Sequence, residues 1–223
     1  GYGDMTGADD CVGGLVGSNG GTVAASYVTE SVDVTGVTYV GGLVGNNGGT
    51  VSDSYAAGSV SGDREMGGLV GRNLGGTVTT SYATGDVDGT STVGGLVGNN
   101  GGTVSDSYAT GDVTASDDRA GGLVGGKDLS GEVTESYATG NVSGTDNVGG
   151  LVGINEDGPV TESYATGNVS GSSYVGGLVG QRKGGAVSDS YWDTGSTGQT
   201  ASAGSPDSNG LTTTQMQRFG PLS

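Results

Sequence analysis

Apolar and polar positions alternate in short bursts along this chain, and the bursts recur at a fixed interval. The phrase Gly-Gly-Leu-Val-Gly appears seven times, with its leucines at Leu15, Leu43, Leu69, Leu96, Leu123, Leu151 and Leu178, 26 to 28 residues apart. Such a period marks a stack of like supersecondary units, each able to bury its apolar side only against a neighbour. Within a unit the runs are short, rich in Val, Thr and Tyr, and bounded by Gly and Asn. None has the 3.6-residue periodicity or the length of a helix. Three short strands joined by tight turns account for about 27 residues, which is one rung of a parallel β-solenoid. The expected fold is therefore all-β: a parallel β-solenoid, or β-helix, of about seven rungs, about 34 Å long at ~4.8 Å per rung. A propeller blade needs four strands and about forty residues, so that alternative fits the period less well.

Equivalent positions in a solenoid stack into ladders. One ladder is Tyr27, Tyr55, Tyr82, Tyr108, Tyr137, Tyr164 and Tyr191, and another is Val23, Val51, Val78, Val104, Val133, Val160 and Val187. Four residues beyond each Leu stand Asn19, Asn47, Asn73, Asn100, Lys127, Asn155 and Arg182. Asn beside Gly suits a left-handed turn corner, where Lys127 and Arg182 would introduce strain. Strict alternation would put Leu43 and Val44 on opposite faces of one strand. The favoured resolution is a bend at a Gly that turns both inward; the alternative is an outer apolar ladder suited to lateral packing.

The ends depart from the repeat. Gly3-Asp4-Met5 precedes Leu15 by the same interval by which Gly111-Asp112-Val113 precedes Leu123, so the first rung is incomplete and offers a strand edge. Residues 1–191 read as the solenoid, and residues 192–223, with Trp192, Leu211, Met216 and Phe219, as a C-terminal cap or a docking tail. Gly3, Asp4, Met5, Trp192, Leu211, Met216 and Phe219 are the assembly candidates.

Composition then narrows the functions. Of 223 residues 52 are Gly, but these keep register with Leu, Val and Tyr, which argues for built turns and close contacts over disorder. A formal charge of −17 excludes nucleic acid and anionic membranes as partners and favours cations, cationic surfaces and a high-salt milieu. No stretch has the length of a membrane span. The chain has one Cys and no His, which removes intrachain disulfides and the usual general base.

Candidate chemistry is sparse. Asp106, Glu135, Glu162 and Asp189 recur at one position, so like charges about 5 Å apart would attract cations, Ca²⁺ at a specific site or a diffuse monovalent atmosphere. A repeated acid beside Ser marks a ladder, not an active site. Gly-Gly-x-x-Gly lacks the following helix that a phosphate loop needs. Asn141-Val142-Ser143 and Asn168-Val169-Ser170 are glycosylation sequons at equivalent places. A row of Thr22, Thr50, Thr77 and Thr103 suggests an ice-matching face, but the rank continues as Glu132, Pro159 and Ala186 and breaks it.

Gly-Gly-Leu-Val-Gly with its following Asn, Ser-Tyr-Ala-Thr-Gly-x-Val, and the closing Ser190-Tyr191-Trp192-Asp193, Gly210-Leu211-Thr212-Thr213 and Gln215-Met216 resemble the GLUG-motif repeats of secreted bacterial and archaeal surface proteins. The resemblance covers residues 3 to about 217 and implies an extracellular stalk or adhesin-like segment, often part of a longer polypeptide. It brings no catalytic residues. The resulting expectation is a non-enzymatic, extracellular structural module without cofactors, self-associating through open solenoid ends or continuing in a longer chain. The alternative is an adhesin that binds carbohydrate or another surface ligand through a ladder face.

Overall fold

A computed structural model describes residues 4–7, 10–128, 130–203 and 209–218. The chain winds into a parallel β-solenoid of about seven coils, and among the described residues the strand pairs are parallel and join equivalent positions of successive coils. One coil runs through Thr38–Gly41, Val44–Asn47, Thr50–Ser52, Tyr55–Ala56 and Val60–Ser61. Such a coil has five short strands, where the sequence suggested three. The extra strands are two residues long, too short to display an alternation.

These strands stack into four sheets. One has twelve strands, two have seven, and one has eight, the last carrying the tyrosines. The twelve-stranded sheet is two columns fused by Val87–Gly94 and Val113–Gly121, each of which runs straight through the point where other coils break, as between Val60–Ser61 and Arg64–Gly67. A register shift after Gly89 absorbs the greater length of Val113–Gly121.

Leu and Val of the repeated phrase both point inward, because the chain bends between them. In the third unit a Cβ on Gly67 would lie 2.0 Å from the Val70 carbonyl oxygen, one on Gly68 2.2 Å from that of Gly95, and one on Gly71 2.4 Å from the Tyr39 carbonyl carbon. Only glycine permits a bend that presses backbone on backbone at three points. Leu43, Leu69, Leu96, Leu123, Leu151 and Leu178 are fully buried, as are Val44, Val70, Val97, Val124, Val152 and Val179. They form one core with the Val51 and Ala56 ranks and with Trp192. The pinch separates a second core of Val34, Val60, Val87, Met66, Val93 and their equivalents. Burying a Leu or Val contributes about 1.5–3 kcal/mol, so each coil is stabilised chiefly by its neighbours. Leu15, in the first coil, is 53% exposed.

The tail lies over the last coil. Trp192 is buried and donates its indole N–H to the Gln199 carbonyl at 2.9 Å. Gln199 Nε2 donates to the Val169 carbonyl, and Ser202 Oγ accepts from Val179 N at 2.8 Å. Gly210–Leu211 pairs with Tyr191–Asp193. Met216 is half-buried in the short helix Thr213–Met216, opened by a capping box of Thr212 and Gln215. At the other end Asp4 is exposed and Met5 pairs with Val34. Gly3 and Phe219 lie outside the described residues.

Candidate functional site

The Asn rank occupies the interior and not a left-handed corner. Asn47, Asn73, Asn100 and Asn155 are fully buried, and none of the rank has positive φ. Asn19 Nδ2 donates to Asn47 Oδ1, Asn47 Nδ2 to Asn73 Oδ1, and Asn73 Nδ2 to Asn100 Oδ1, each at 2.8 Å. A carboxamide has donors on one side and an acceptor on the other, so identical residues at one coil's rise form a continuous chain. The same groups satisfy turn carbonyls such as Gly49 and Gly76.

Lys127 and Arg182 do not strain a corner either. Lys127 is fully buried, and its ammonium donates to the carbonyls of Gly131 and, at 3.1 Å, Pro159. Having no acceptor, it ends the amide chain at Asn100. Arg182 is exposed and donates to the Gly185 carbonyl. Burial lowers the Lys127 pKa from 10.5 to about 8, against the pull of Asp157 and Glu132. Between pH 8 and 10.5 the unfolded chain holds a proton that the folded one lacks, so folding is favoured increasingly as pH rises. Tyr108, Tyr137 and Tyr164, raised by burial above 10, act in the opposite sense above that pH. Urea unfolding should thus show wild type gaining stability over Lys127→Met between pH 7.5 and 9.5, by about 2 kcal/mol. Parallel pH profiles for the two proteins would contradict this assignment.

The left-handed corners lie elsewhere, in two ranks. One is Cys11, Tyr39, Glu65, Thr92, Arg119, Asn147 and Tyr174; the other is Ala25, Asp53, Thr80, Asp106, Glu135, Glu162 and Asp189. Side chains with a Cβ pay about 1–2 kcal/mol in this region, and the ladders on either side hold them there. In the second rank each residue from Asp53 onward is followed by a buried Ser. Ser54 Oγ donates to the Ser52 carbonyl at 2.7 Å and accepts from Ser26 N at 3.1 Å, and Ser81, Ser107, Ser136, Ser163 and Ser190 repeat the pattern. The hydroxyl supplies the acceptor that the turned backbone withdraws. A polar residue repeated in every unit was the available signal for this buried Ser ladder, which the sequence reading missed.

On the outside, the acidic rank Asp106, Glu135, Glu162 and Asp189 is exposed. A hydrogen bond with Asp106 and the charges of Asp106 and Glu162 push the Glu135 carboxyl above its ordinary range. The tyrosines stack face to face, with ring centroids 4.8–5.1 Å apart from Tyr27 through Tyr164 and planes within 7°. Tyr191 pairs with Tyr164 in register. Ring faces are therefore taken up by neighbouring rings and only edges look outward, except at Tyr27, which is 59% exposed. A recess of about 620 Å³ opens there, lined by Leu15, Tyr27, Val28 and Glu30.

Asn141 and Asn168 are exposed in a staircase of side-chain to backbone bonds. Asp112 Oδ1 accepts from Asn141 N at 2.8 Å, and Asn141 Oδ1 from Asn168 N at 3.2 Å. Cys11 is a free, half-buried thiol. Among the described residues no three His, Cys, Asp or Glu side chains converge to hold a metal, and no helix is long and apolar enough to cross a membrane.

Continuous coils, ladders inside and repeated side chains outside define a β-solenoid repeat protein. Four of its repeats, residues 36–61, 62–88, 89–114 and 144–170, match the family model described as "Glug: The GLUG motif". Folds of this kind are typically non-catalytic. No curated protein and no solved structure gives a match to the chain.

Proposed function

We propose that this chain is a non-enzymatic structural module of an extracellular or cell-surface protein, a stalk or filament subunit. The observation that carries the reading is the parallel coil-on-coil stacking, with Asn and Ser side chains buried in ladders between the coils. Such a rod spends its polar groups on coil-to-coil contacts and presents the same side chains again and again. That suits spacing and load-bearing better than selective chemistry.

Self-association through a solenoid end, or continuation in a longer chain, would engage Leu15 and Tyr27, 53% and 59% exposed. A net charge of −17 opposes any such contact in dilute buffer and is screened in salt. Light scattering and electron microscopy should therefore show association that grows with protein concentration and is stronger in molar salt. A monomer under all conditions removes the filament reading and leaves the stalk. Because the Tyr edges form a regular half-buried row, a surface ligand such as a glycan is the second reading; glycan-array binding lost in Tyr108→Ala would favour it.

A further inference from the structure

The buried polar rank changes its chemistry at one coil. Asn47 and Asn73 each direct their amide nitrogen to three acceptors: a Gly carbonyl of their own turn, a strand carbonyl of the next coil, and the amide oxygen of the next Asn. For Asn47 these are Gly49 at 3.2 Å, Thr77 at 3.4 Å and Asn73 at 2.8 Å. Lys127 stands in the same rank, in register between Asn100 and Asn155. Its Nζ takes the first two of these acceptors, the carbonyls of Gly131 in its own turn and, at 3.1 Å, of Pro159 in the next coil. The third would be the amide oxygen of Asn155, and that buried atom has no hydrogen-bond partner. Asn155 donates to the Gly158 carbonyl three residues on, as Asn73 does to that of Gly76. Its carboxamide is therefore set as in the ladder, with the oxygen toward the coil of Lys127. Both side chains are fully buried.

We propose that Lys127 and Asn155 join in an intramolecular isopeptide bond, a covalent cross-link between successive coils. A neutral lysine amine has two N–H bonds and one lone pair. The carbonyls of Gly131 and Pro159 hold the two N–H bonds, which leaves the lone pair for the third direction, that of Asn155. In the reaction the lone pair adds to Asn155 Cγ and the Nζ–Cγ bond forms. The Cγ–Nδ2 bond then breaks, and ammonia leaves with one proton of the amine. Atoms and charge balance with no oxidant or co-reactant. Burial favours the neutral amine that this step needs, lowering the Lys127 pKa to about 8. Asp157 and Glu132 direct their negative charge at the same amine and are the groups placed to relay the proton to the leaving nitrogen.

The neighbours on either side do not share this chemistry. Asn100 turns its nitrogen toward the coil of Lys127, donating to the Glu132 carbonyl at 3.1 Å, while its oxygen accepts from Asn73 in the coil before. Arg182, the register partner of Asn155 on its other side, is exposed, and its guanidinium stays protonated. The bond thus replaces the one ladder link that Lys127 interrupts. Lys127 titrates only while the bond is absent, so the pH dependence described above belongs to the unlinked chain.

The test is mass spectrometry of the full chain after incubation above pH 8, both intact and after denaturation and tryptic digestion. Wild type should be lighter than its sequence by about 17 Da, the mass of ammonia. Residues 120–182 should be recovered as one peptide, uncleaved after Lys127. Lys127→Asn installs the residue that the rank already uses on both sides, so it should fold, and it should show the full mass. An unmodified mass for wild type, ready cleavage after Lys127, or the same deficit in Lys127→Asn would overturn the proposal.

Discussion

Gly95→Ala should cost the chain about 3 kcal/mol or more, or prevent folding, while Gly101→Ala should change stability by less than about 0.5 kcal/mol. Neither residue has positive φ, so conformational freedom does not separate them. Space does. A Cβ on Gly95 would lie 2.1 Å from the Gly122 carbonyl oxygen, in the bend of the next coil, and 2.9 Å from the Ala109 Cβ, across the core, and neither has room to retreat. On Gly101 the nearest atom is the Asn73 carbonyl oxygen at 3.5 Å, an ordinary contact. Overpacking in a rigid interior costs about 1–3 kcal/mol, and a clash with backbone belongs at or beyond the top of that range. Chemical denaturation of the two variants checks the contrast. Equal stabilities would mean that the bend is not pressed against the adjacent coil as described.

Asn73→Leu should destabilise by about 2–4 kcal/mol, although Leu is apolar and close in size. Asn73 accepts from Asn47 and donates to Asn100, both at 2.8 Å, and to the Gly76 carbonyl at 3.0 Å, in a fully buried place. Leu removes these bonds and leaves amides on either side facing a hydrocarbon. Unmet buried polar groups cost about 1–3 kcal/mol each. Asn19→Leu, at the ladder's end and with one fewer ladder partner, should cost clearly less. A pair of denaturant curves decides the matter; a neutral Asn73→Leu would place the rank at the surface after all.

Both predictions concern residues that the sequence displays plainly, and they mark where its legibility stops. The 27-residue period and the Tyr ladder follow from spacing alone, because a repeat must place equivalents side by side; the inward bend of Leu43 and Val44 is the favoured of two readings and not a consequence of spacing. Whether a rank faces in or out does not follow, since a two-residue strand such as Tyr55–Ala56 has no alternation to read. Asn beside Gly is as good a turn as a ladder, and the interior location of Asn73 depends on how the coil closes. The left-handed corners at Asp106, Glu135 and Arg119 were illegible for a related reason: side chains that disfavour positive φ are held there by the buried Ser rank and the Gly-Gly pinch, which are tertiary forces.

In-register stacking of consecutive coils is the claim on which everything else rests. Thr79 and Ser105 face each other across neighbouring strands with hydroxyls 3.0 Å apart, and a strand separation of about 4.8 Å is within disulfide reach. In a Cys11→Ser background, oxidation of the pair Thr79→Cys and Ser105→Cys should give a near-quantitative intramolecular disulfide in dilute solution. The pair Thr79→Cys and Thr134→Cys, two coils apart, should give none. Failure of the first pair, or closure of both with equal ease, would contradict the solenoid register described here.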